Sequence, residues 1–481
     1  MFFNDIIMPR KKTVKFYPIF LLSALGLILF CACSPEPPSP IAKTGCNICH
    51  KVTIDPAHDI GCTKCHKGDE KAKTLKAAHK GLIPRPAHPD HMAEACGGCH
   101  PKEVARAAAS KHFTLKDEIG GVWGAFFPDE PAPSVKDLPI EEPPRTEKGI
   151  VADALRRRCL LCHVYYEGDD YSGVRRGTGC AACHLPIKAG TCIKGRIDHR
   201  FNLAVKDKNC LACHYGNFVG WDYYGRFEKD YEEGYRAPLV KGRHIPRPYG
   251  IEWHEMTPDI HKKYGMTCTD CHAKGPCQRK NSGQERPSCL GCHDTKAGAG
   301  EARQMDPQTP GHRDSDLGRV SCEACHAVWG FYDKGRSLVL QDNPIFDDWT
   351  YLSVQGSSEV EDVVSRYLAG ALRGSVVMLD KINGKTRPGM WFQVFYERRW
   401  WPVMLGEDKN GRLRVMRPLL DISISYLNAQ GNAVFDNLKP KTPPLVPYTP
   451  HTTGAADTFR TIAVKQWLEN TAAGHNGQGL Q

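Results

Sequence analysis

The chain has 481 residues, long enough for two or three ordinary domains, and carries a formal net charge of +10. A positive charge of this size would suit a nucleic-acid partner, but the chemistry of the 22 cysteines of the chain argues against one. Residues 46–326 contain no long periodic apolar segment, so apolar side chains alone are not expected to supply most of the core there.

The N-terminal residues 1–33 have the pattern of an export signal. Basic residues at 8–12 precede an apolar run at 16–30 that is too short to span a membrane comfortably. Ala32 before Cys33 is typical of a lipoprotein cleavage site, which makes Cys33 the predicted lipidation site. Plain secretion and an uncleaved anchor remain alternatives. Residues 34–45 then form a Pro-rich tether.

The next 280 or so residues are organised by nine copies of Cys-x-x-Cys-His. This spacing is that of c-type haem attachment, because positions i, i+3 and i+4 share one helical face. Two thiols then reach one edge of a haem and the imidazole reaches the iron. The predicted haem-bonded cysteines are Cys46, Cys49, Cys62, Cys65, Cys96, Cys99, Cys159, Cys162, Cys180, Cys183, Cys210, Cys213, Cys268, Cys271, Cys289, Cys292, Cys322 and Cys325. The predicted proximal ligands are His50, His66, His100, His163, His184, His214, His272, His293 and His326.

Other uses of paired cysteines explain the pattern less well. Structural zinc needs four cysteines, or two cysteines and two histidines, and has no use for a histidine after every second cysteine. A redox dithiol is usually a single Cys-x-x-Cys, and a disulfide framework does not require the histidine. Nine covalent haems would supply much of the core, so folding should be coupled to haem attachment.

Haem also changes the charge argument. Removing residues 1–33 leaves a charge of about +7, and two propionates on each of nine haems bring the holoprotein to about −11. The basic side chains are therefore expected to pair with propionates, and no nucleic-acid partner is predicted. Thioether attachment of haem takes place outside the bacterial inner membrane, in agreement with an exported protein.

A second axial ligand is expected at each of the nine irons. Of the 21 histidines, twelve are not in a motif. Four of them, His112, His199, His261 and His312, are favoured by their distance from the motifs, whereas His475 lies in a Gly-rich tail and is not. The full set of distal candidates is His58, His79, His88, His91, His112, His199, His244, His254, His261 and His312. Histidine on both sides of the iron leaves no open position and favours electron transfer over catalysis.

The motif spacing suggests three tri-haem modules, at 46–112, 159–214 and 261–326, within a nine-haem region of residues 46–329. Coincidence of spacing is the alternative. Cys192 and Cys277 belong to no motif, and a disulfide between them is plausible in an oxidising compartment.

The last part of the chain, residues 330–481, contains no cysteine. The sequence predicts a helix at 360–372, strands at 391–396, 413–416 and 421–427, and a final helix at 457–473. Around His451 the pattern is similar to the end of a multihaem cytochrome that has lost a tenth motif. In that hypothesis His451 is an orphaned ligand; the alternative is a plain capping helix.

With its nine motifs, residues 46–326 resemble multihaem c-type cytochromes of bacterial respiratory and extracellular electron transfer. Residues 96–112 are similar to the haem-helix-histidine element of octahaem tetrathionate, hydroxylamine and nitrite reductases. Residues 223–238, 259–272 and 398–402 resemble lipoprotein cytochromes of metal- and oxyanion-reducing bacteria, some of which accompany selenite or tellurite reductase systems. Nine motifs depart from the octahaem pattern, so an active-site haem is not carried over.

The resemblance implies short helices and irregular loops packed around haems, with a small β-containing C-terminal domain. It implies an electron carrier, lipid-anchored in the periplasm or at the outer membrane of a Gram-negative bacterium. The redox partners would be quinol-linked or periplasmic cytochromes. A second hypothesis is a reductase of a small oxyanion (nitrite, tetrathionate, selenite or tellurite) with one open or Lys-ligated haem. A third hypothesis is a cytochrome subunit that assembles with an outer-membrane porin. No catalytic residue is assigned.

Overall fold

The computed structural model describes residues 45–186, 196–202, 204–216, 219–229, 247–272, 289–293, 305–352, 354–441 and 445–472. The predicted export signal and tether lie outside these residues, as do Cys192, Cys277, His244 and His475. Within the described part, no helix is both long enough and apolar enough to cross a membrane.

The helices are short, and many of them carry or flank a Cys-x-x-Cys-His motif. They are α1 Cys62–His66, α2 Leu75–Ala78, α3 Met92–Ala95, α4 Pro101–Ala109, α5 Lys111–Thr114, α6 Lys116–Phe126, α7 Glu147–Ala154, α8 Ala181–His184, α9 Asp207–Leu211, α10 Ile260–Lys263, α11 Cys268–Cys271, α12 Leu290–His293, α13 Cys322–His326, α14 Phe346–Trp349, α15 Ser358–Leu368 and α16 Thr458–Ala472. A π-helical turn, Leu155–Cys159, follows α7.

The region between the third and fourth motifs contains the helices α4 to α7. The helix after the third motif begins with Pro101, which suits a first turn, and ends at Ala109, because Ser110 is extended. His112 therefore lies on the separate helix α5. The Gly-rich start of the following insert forms α6, whose Ile119 and Trp123 are buried.

The C-terminal region contains the larger sheets. The strands of the described residues are β1 Lys51–Ile54, β2 Arg196–His199, β3 Arg226–Glu228, β4 Trp253–Glu255, β5 Tyr332–Gln341, β6 Val377–Leu379, β7 Thr386–Pro388, β8 Met390–Arg399, β9 Met404–Glu407, β10 Leu413–Pro418, β11 Ile422–Leu427, β12 Ala433–Leu438 and β13 Leu445–Pro447. One sheet has the order β12-β11-β5-β8 and a second has the order β13-β10-β9. Strand β5 pairs with β11 in parallel and with β8 antiparallel.

The C-terminal sheet shares its core with the middle of the haem-binding region. Apolar residues of α6 and α7, such as Ile119 and Ile150, belong to the same buried cluster as Leu338, Trp391 and Ile424 of the sheet. The final helix α16 packs through Val464, Trp467 and Leu468 against Ala324 in the last motif. The chain after the last motif therefore packs against the motif region at two places.

Candidate haem centres

All nine motifs lie in the described residues, and eight of them form one helical turn. In six of them the backbone N–H of the histidine donates to the backbone carbonyl oxygen of the first cysteine, at 2.9 to 3.1 Å. The other two, Cys62–His66 and Cys322–His326, are helical throughout. This turn places both thiols and the imidazole on one side of the backbone. The motif that begins at Cys159 is the exception.

Seven of the nine motif histidines face a second histidine ring. The separations of ring centres are 6.1 Å for His50–His79, 5.9 Å for His66–His199, 6.3 Å for His100–His58, 6.2 Å for His214–His112, 6.4 Å for His272–His451, 5.9 Å for His293–His261 and 6.0 Å for His326–His312. An imidazole nitrogen lies about 2 Å from a bound metal, so two rings on opposite sides of one iron have centres roughly 6 Å apart. The seven pairs therefore fit bis-histidine haem.

The orientation of the paired rings divides them into two groups. The planes of the His272 and His326 pairs are nearly parallel, at 13° and 5°, and those of the His66 and His100 pairs are close to it, at 25° and 27°. The other three pairs are steeply inclined, at 66° to 77°. The two groups would give different magnetic signatures at a ferric iron.

Hydrogen bonds at Nδ1 orient many of these rings for binding through Nε2. Backbone carbonyl oxygens lie 2.8 to 3.2 Å from the Nδ1 atoms of His66, His79, His184, His312, His326 and His451. Carbonyl oxygen only accepts, so Nδ1 carries the proton and Nε2 keeps its lone pair. This is the tautomer that a metal-ligating histidine needs.

Two distal histidines have a carboxylate instead of a carbonyl behind them. His58 lies 2.8 Å from Asp55 and His261 lies 2.8 Å from Asp259, in each case through Nδ1. The hydrogen bond to Asp259 raises the pKa of His261. A carboxylate partner makes an imidazole a stronger donor to a metal, so these two haems should have lower potentials than their neighbours.

Burial holds other ligands in the neutral form that binds iron. Desolvation lowers the pKa of His163 to about 3 and that of His214 to about 4, because the charged imidazolium is costly in an apolar interior. The pKa values of His112 and His199 are lowered for the same reason.

His451, which was not among the distal candidates, is brought to His272. Its backbone N–H donates to Asp222 at 3.0 Å, and Asp222 is itself buried. Gly454, three residues on, accepts a hydrogen bond from His326. The segment from His451 to Gly454 thus contributes to two centres. His451 faces a motif histidine, whereas the lost-haem hypothesis predicted that it would be an orphaned ligand. Its only sequence signal was its place in the Pro-His-Thr-Thr-Gly stretch.

Three other candidates face no motif histidine ring among the described residues. His88 and His91 face each other at 6.2 Å, and His254 faces Phe227 at 6.4 Å. His244 is outside the described residues. Among the described residues, no histidine ring stacks on either of the two remaining motif histidines, His163 and His184.

Successive motifs touch one another. The sulfur atoms lie next to each other in the pairs Cys46–Cys62, Cys96–Cys180, Cys162–Cys213, Cys210–Cys268 and Cys289–Cys322. Cys65 lies near Cys96, and Cys271 lies near Cys292. The Cys159 and Cys180 motifs meet through Gly179, whose N–H donates to Val164 at 2.7 Å. The motifs form one continuous series, in which the fourth and fifth exchange places relative to the sequence.

The histidine pairs cross the predicted module boundaries. His66 and His112, from the first predicted module, pair with His199 and His214 from the second. The tri-haem division stays a prediction, but the modules exchange axial histidines.

Residues 260–331 match the family model described as cytochrome c3. The match supports a multihaem c-type cytochrome. It includes three of the nine motifs and implies covalently bound c-type haem and multihaem electron transfer. No curated protein and no solved structure matches the chain significantly.

Proposed function

We propose that the chain is a nine-haem electron carrier of the bacterial cell envelope. The observation that carries the proposal is the set of seven histidine pairs, each spaced for one iron with both axial positions filled. An iron with two histidine ligands exchanges electrons without binding a substrate. Haem c supplies the one-electron chemistry when bound.

The contacts between motifs support transfer along the whole series. Every motif touches a neighbour, and the series runs from the Cys46 motif to the Cys322 motif without a gap. Electrons would enter near one end and leave near the other, between a quinol-linked or periplasmic cytochrome and a second redox partner. A lipid on Cys33 would hold the protein at a periplasmic or outer-membrane face.

The test compares oxidants of the fully reduced holoprotein in a stopped-flow instrument. A carrier is oxidised rapidly by a soluble c-type cytochrome and only slowly by nitrite, tetrathionate, selenite or tellurite. Rapid, saturable oxidation by one of these oxyanions would replace the carrier with a reductase. Co-purification with an outer-membrane barrel would instead identify a subunit of a porin-cytochrome conduit.

The anchor is tested separately by Cys33→Ala. The variant should leave the membrane fraction while keeping its haem content, because the substitution removes only the lipid attachment site. A variant that stays membrane-bound would show that the attachment lies elsewhere.

A further inference from the structure

The Cys159 motif has a backbone that differs from that of the other eight. It follows the π-helical turn Leu155–Cys159, a distortion that is often found at functional sites. The carbonyl oxygen of Cys159 accepts from the N–H of Leu161 at 2.9 Å. In six of the other motifs the corresponding carbonyl accepts from the backbone N–H of the histidine, whereas that of Cys159 does not.

The C-terminal region holds this distorted turn in place. Arg156 donates to Asp380 at 2.7 Å, and Arg158 donates to the carbonyl of Gln355 at 2.5 Å. Arg157 donates to Asp153 at 2.8 Å and to the carbonyl of Pro388 at 2.8 Å. Three consecutive arginines, all buried, thus fix the backbone that delivers Cys159.

His163 has the opposite hydrogen-bond arrangement to the well-oriented ligands. Its Nδ1 accepts from the backbone N–H of Tyr165 at 3.0 Å, and a backbone N–H always donates. In a neutral ring the proton is then on Nε2, the atom that binds iron elsewhere. This Nε2 is buried, and the ring also contacts the backbone of Leu160.

Tyrosine rings, and no histidine ring among the described residues, face His163. The Tyr165 ring lies 5.7 Å from His163, and His88 lies 5.5 Å from Tyr165 on another side. The Tyr165 hydroxyl donates to the carbonyl of Phe113 at 3.1 Å, which fixes the tyrosine ring.

A buried guanidinium lies beside His163, and the buried carboxylate of Asp169 lies near Cys162 of the same motif. The guanidinium of the buried Arg176 donates to four backbone carbonyls, one of them that of His163 at 3.0 Å. It pairs with no carboxylate in the part of the chain that the structure describes, so its charge is not neutralised by an ion pair. An anion next to it would be stabilised.

The Cys180 motif shows that a missing histidine pair alone does not mark a site as unusual. His184 also has no histidine ring facing it in the described residues, yet its motif forms the regular turn. Its Nδ1 lies 2.9 Å from the carbonyl oxygen of Asn202, as at the paired centres.

We propose that the Cys159 motif carries the one ligand-binding haem of the protein, with an axial position that a small anion or diatomic molecule can occupy. The proposal rests on haem attachment at this motif, as in the proposed function, and goes beyond it by giving one centre a role other than relay.

Titration of the reduced holoprotein with carbon monoxide tests the proposal directly. The expected stoichiometry is one carbon monoxide per chain, and the ferric protein should bind cyanide at the same single site. The location is assigned with two matched double variants, Cys159→Ala/Cys162→Ala and Cys180→Ala/Cys183→Ala. The first should lose one haem and all carbon monoxide binding, and the second should lose one haem and keep that binding.

Several outcomes would overturn the proposal. No carbon monoxide binding to a wild-type protein with a full haem complement would show that every centre is closed. Binding that persists in the Cys159 variant, or disappears in the Cys180 variant, would place the open iron elsewhere. A haem deficit in the wild type would instead count against the nine-haem carrier.

If either double variant fails to mature, His163→Ala keeps both thioether cysteines and therefore the haem. The proposal then expects nine haems and a shifted absorption band for the carbon monoxide complex, because the group opposite the ligand has changed. An unchanged band would exclude His163 from the binding centre.

Discussion

Replacing His451 by alanine should convert one haem of the protein from low-spin to high-spin. The ring of His451 lies 6.4 Å from that of His272, with planes 13° apart, so its loss removes the sixth ligand of the Cys268 haem. The bonds to Asp222 involve the backbone N–H of His451 and the side chain of Tyr448, and the substitution leaves them in place. The fold should therefore lose no more than about 1 kcal/mol.

The size of the effect follows from the number of motifs. Relative to the wild type, one haem in nine should gain a high-spin ferric signal in electron paramagnetic resonance. His451→Met should keep the iron six-coordinate and raise its potential by something on the order of 100 mV, within the range of about 0.8 V that axial ligands cover. Spectroelectrochemical titration of both variants measures these changes.

His254→Ala is the matched control, because His254 faces Phe227 and no motif histidine of the described residues. It should leave the spectrum unchanged. The assignment of His451 would be refuted if His451→Ala retained its full haem content without any new high-spin signal, or if His254→Ala gave the same signal.

Further predictions concern the carboxylates, the buried arginines, the ring angles and the haem itself. Asp259→Asn should raise the potential of the haem bound by His261 and His293, since the carboxylate no longer strengthens the imidazole as a donor; an unchanged titration curve would contradict this. Asp380→Ala leaves Arg156 without a buried counter-charge and removes one of the two carboxylates paired with Arg387, so it should lower the free energy of unfolding by about 3–5 kcal/mol in denaturant titrations; a loss below about 1 kcal/mol would contradict it. The low-spin resonance signals should fall into two classes, four from near-parallel and three from steeply inclined pairs, and a single class would disagree with the geometry. Chain produced without haem attachment should show little cooperative unfolding, and a cooperative transition equal to that of the holoprotein would contradict the coupling of folding to haem.

The sequence predicts the local chemistry of the centres better than their pairing. Each motif contains both cysteines and the proximal histidine within five residues, so spacing alone predicts one helical turn. A distal histidine comes from anywhere in the chain: His58 is 42 residues before its partner His100, whereas His451 follows His272 by 179. Such pairings depend on the tertiary fold, which periodicity does not encode.

The C-terminal region illustrates the same limit. Alternation of apolar residues predicted strands near 391–396, 413–416 and 421–427, and the structure has β8, β10 and β11 there. The sequence did not predict that Asp380 and Gln355 would hold the arginines before Cys159. Nor did it predict the π-helical turn, because Leu155–Cys159 has the composition of an ordinary helix end and is distorted by partners more than 190 residues away.

A continuous array of nine haems, held mostly by paired histidines, can be tested by one combined measurement. Haem is quantified per chain by pyridine haemochrome, and the spin state of the same ferric sample is quantified by electron paramagnetic resonance. The account predicts nine haems per chain, of which at least the seven with paired histidines are low-spin. A haem content well below nine, or a spectrum dominated by high-spin iron, would contradict it.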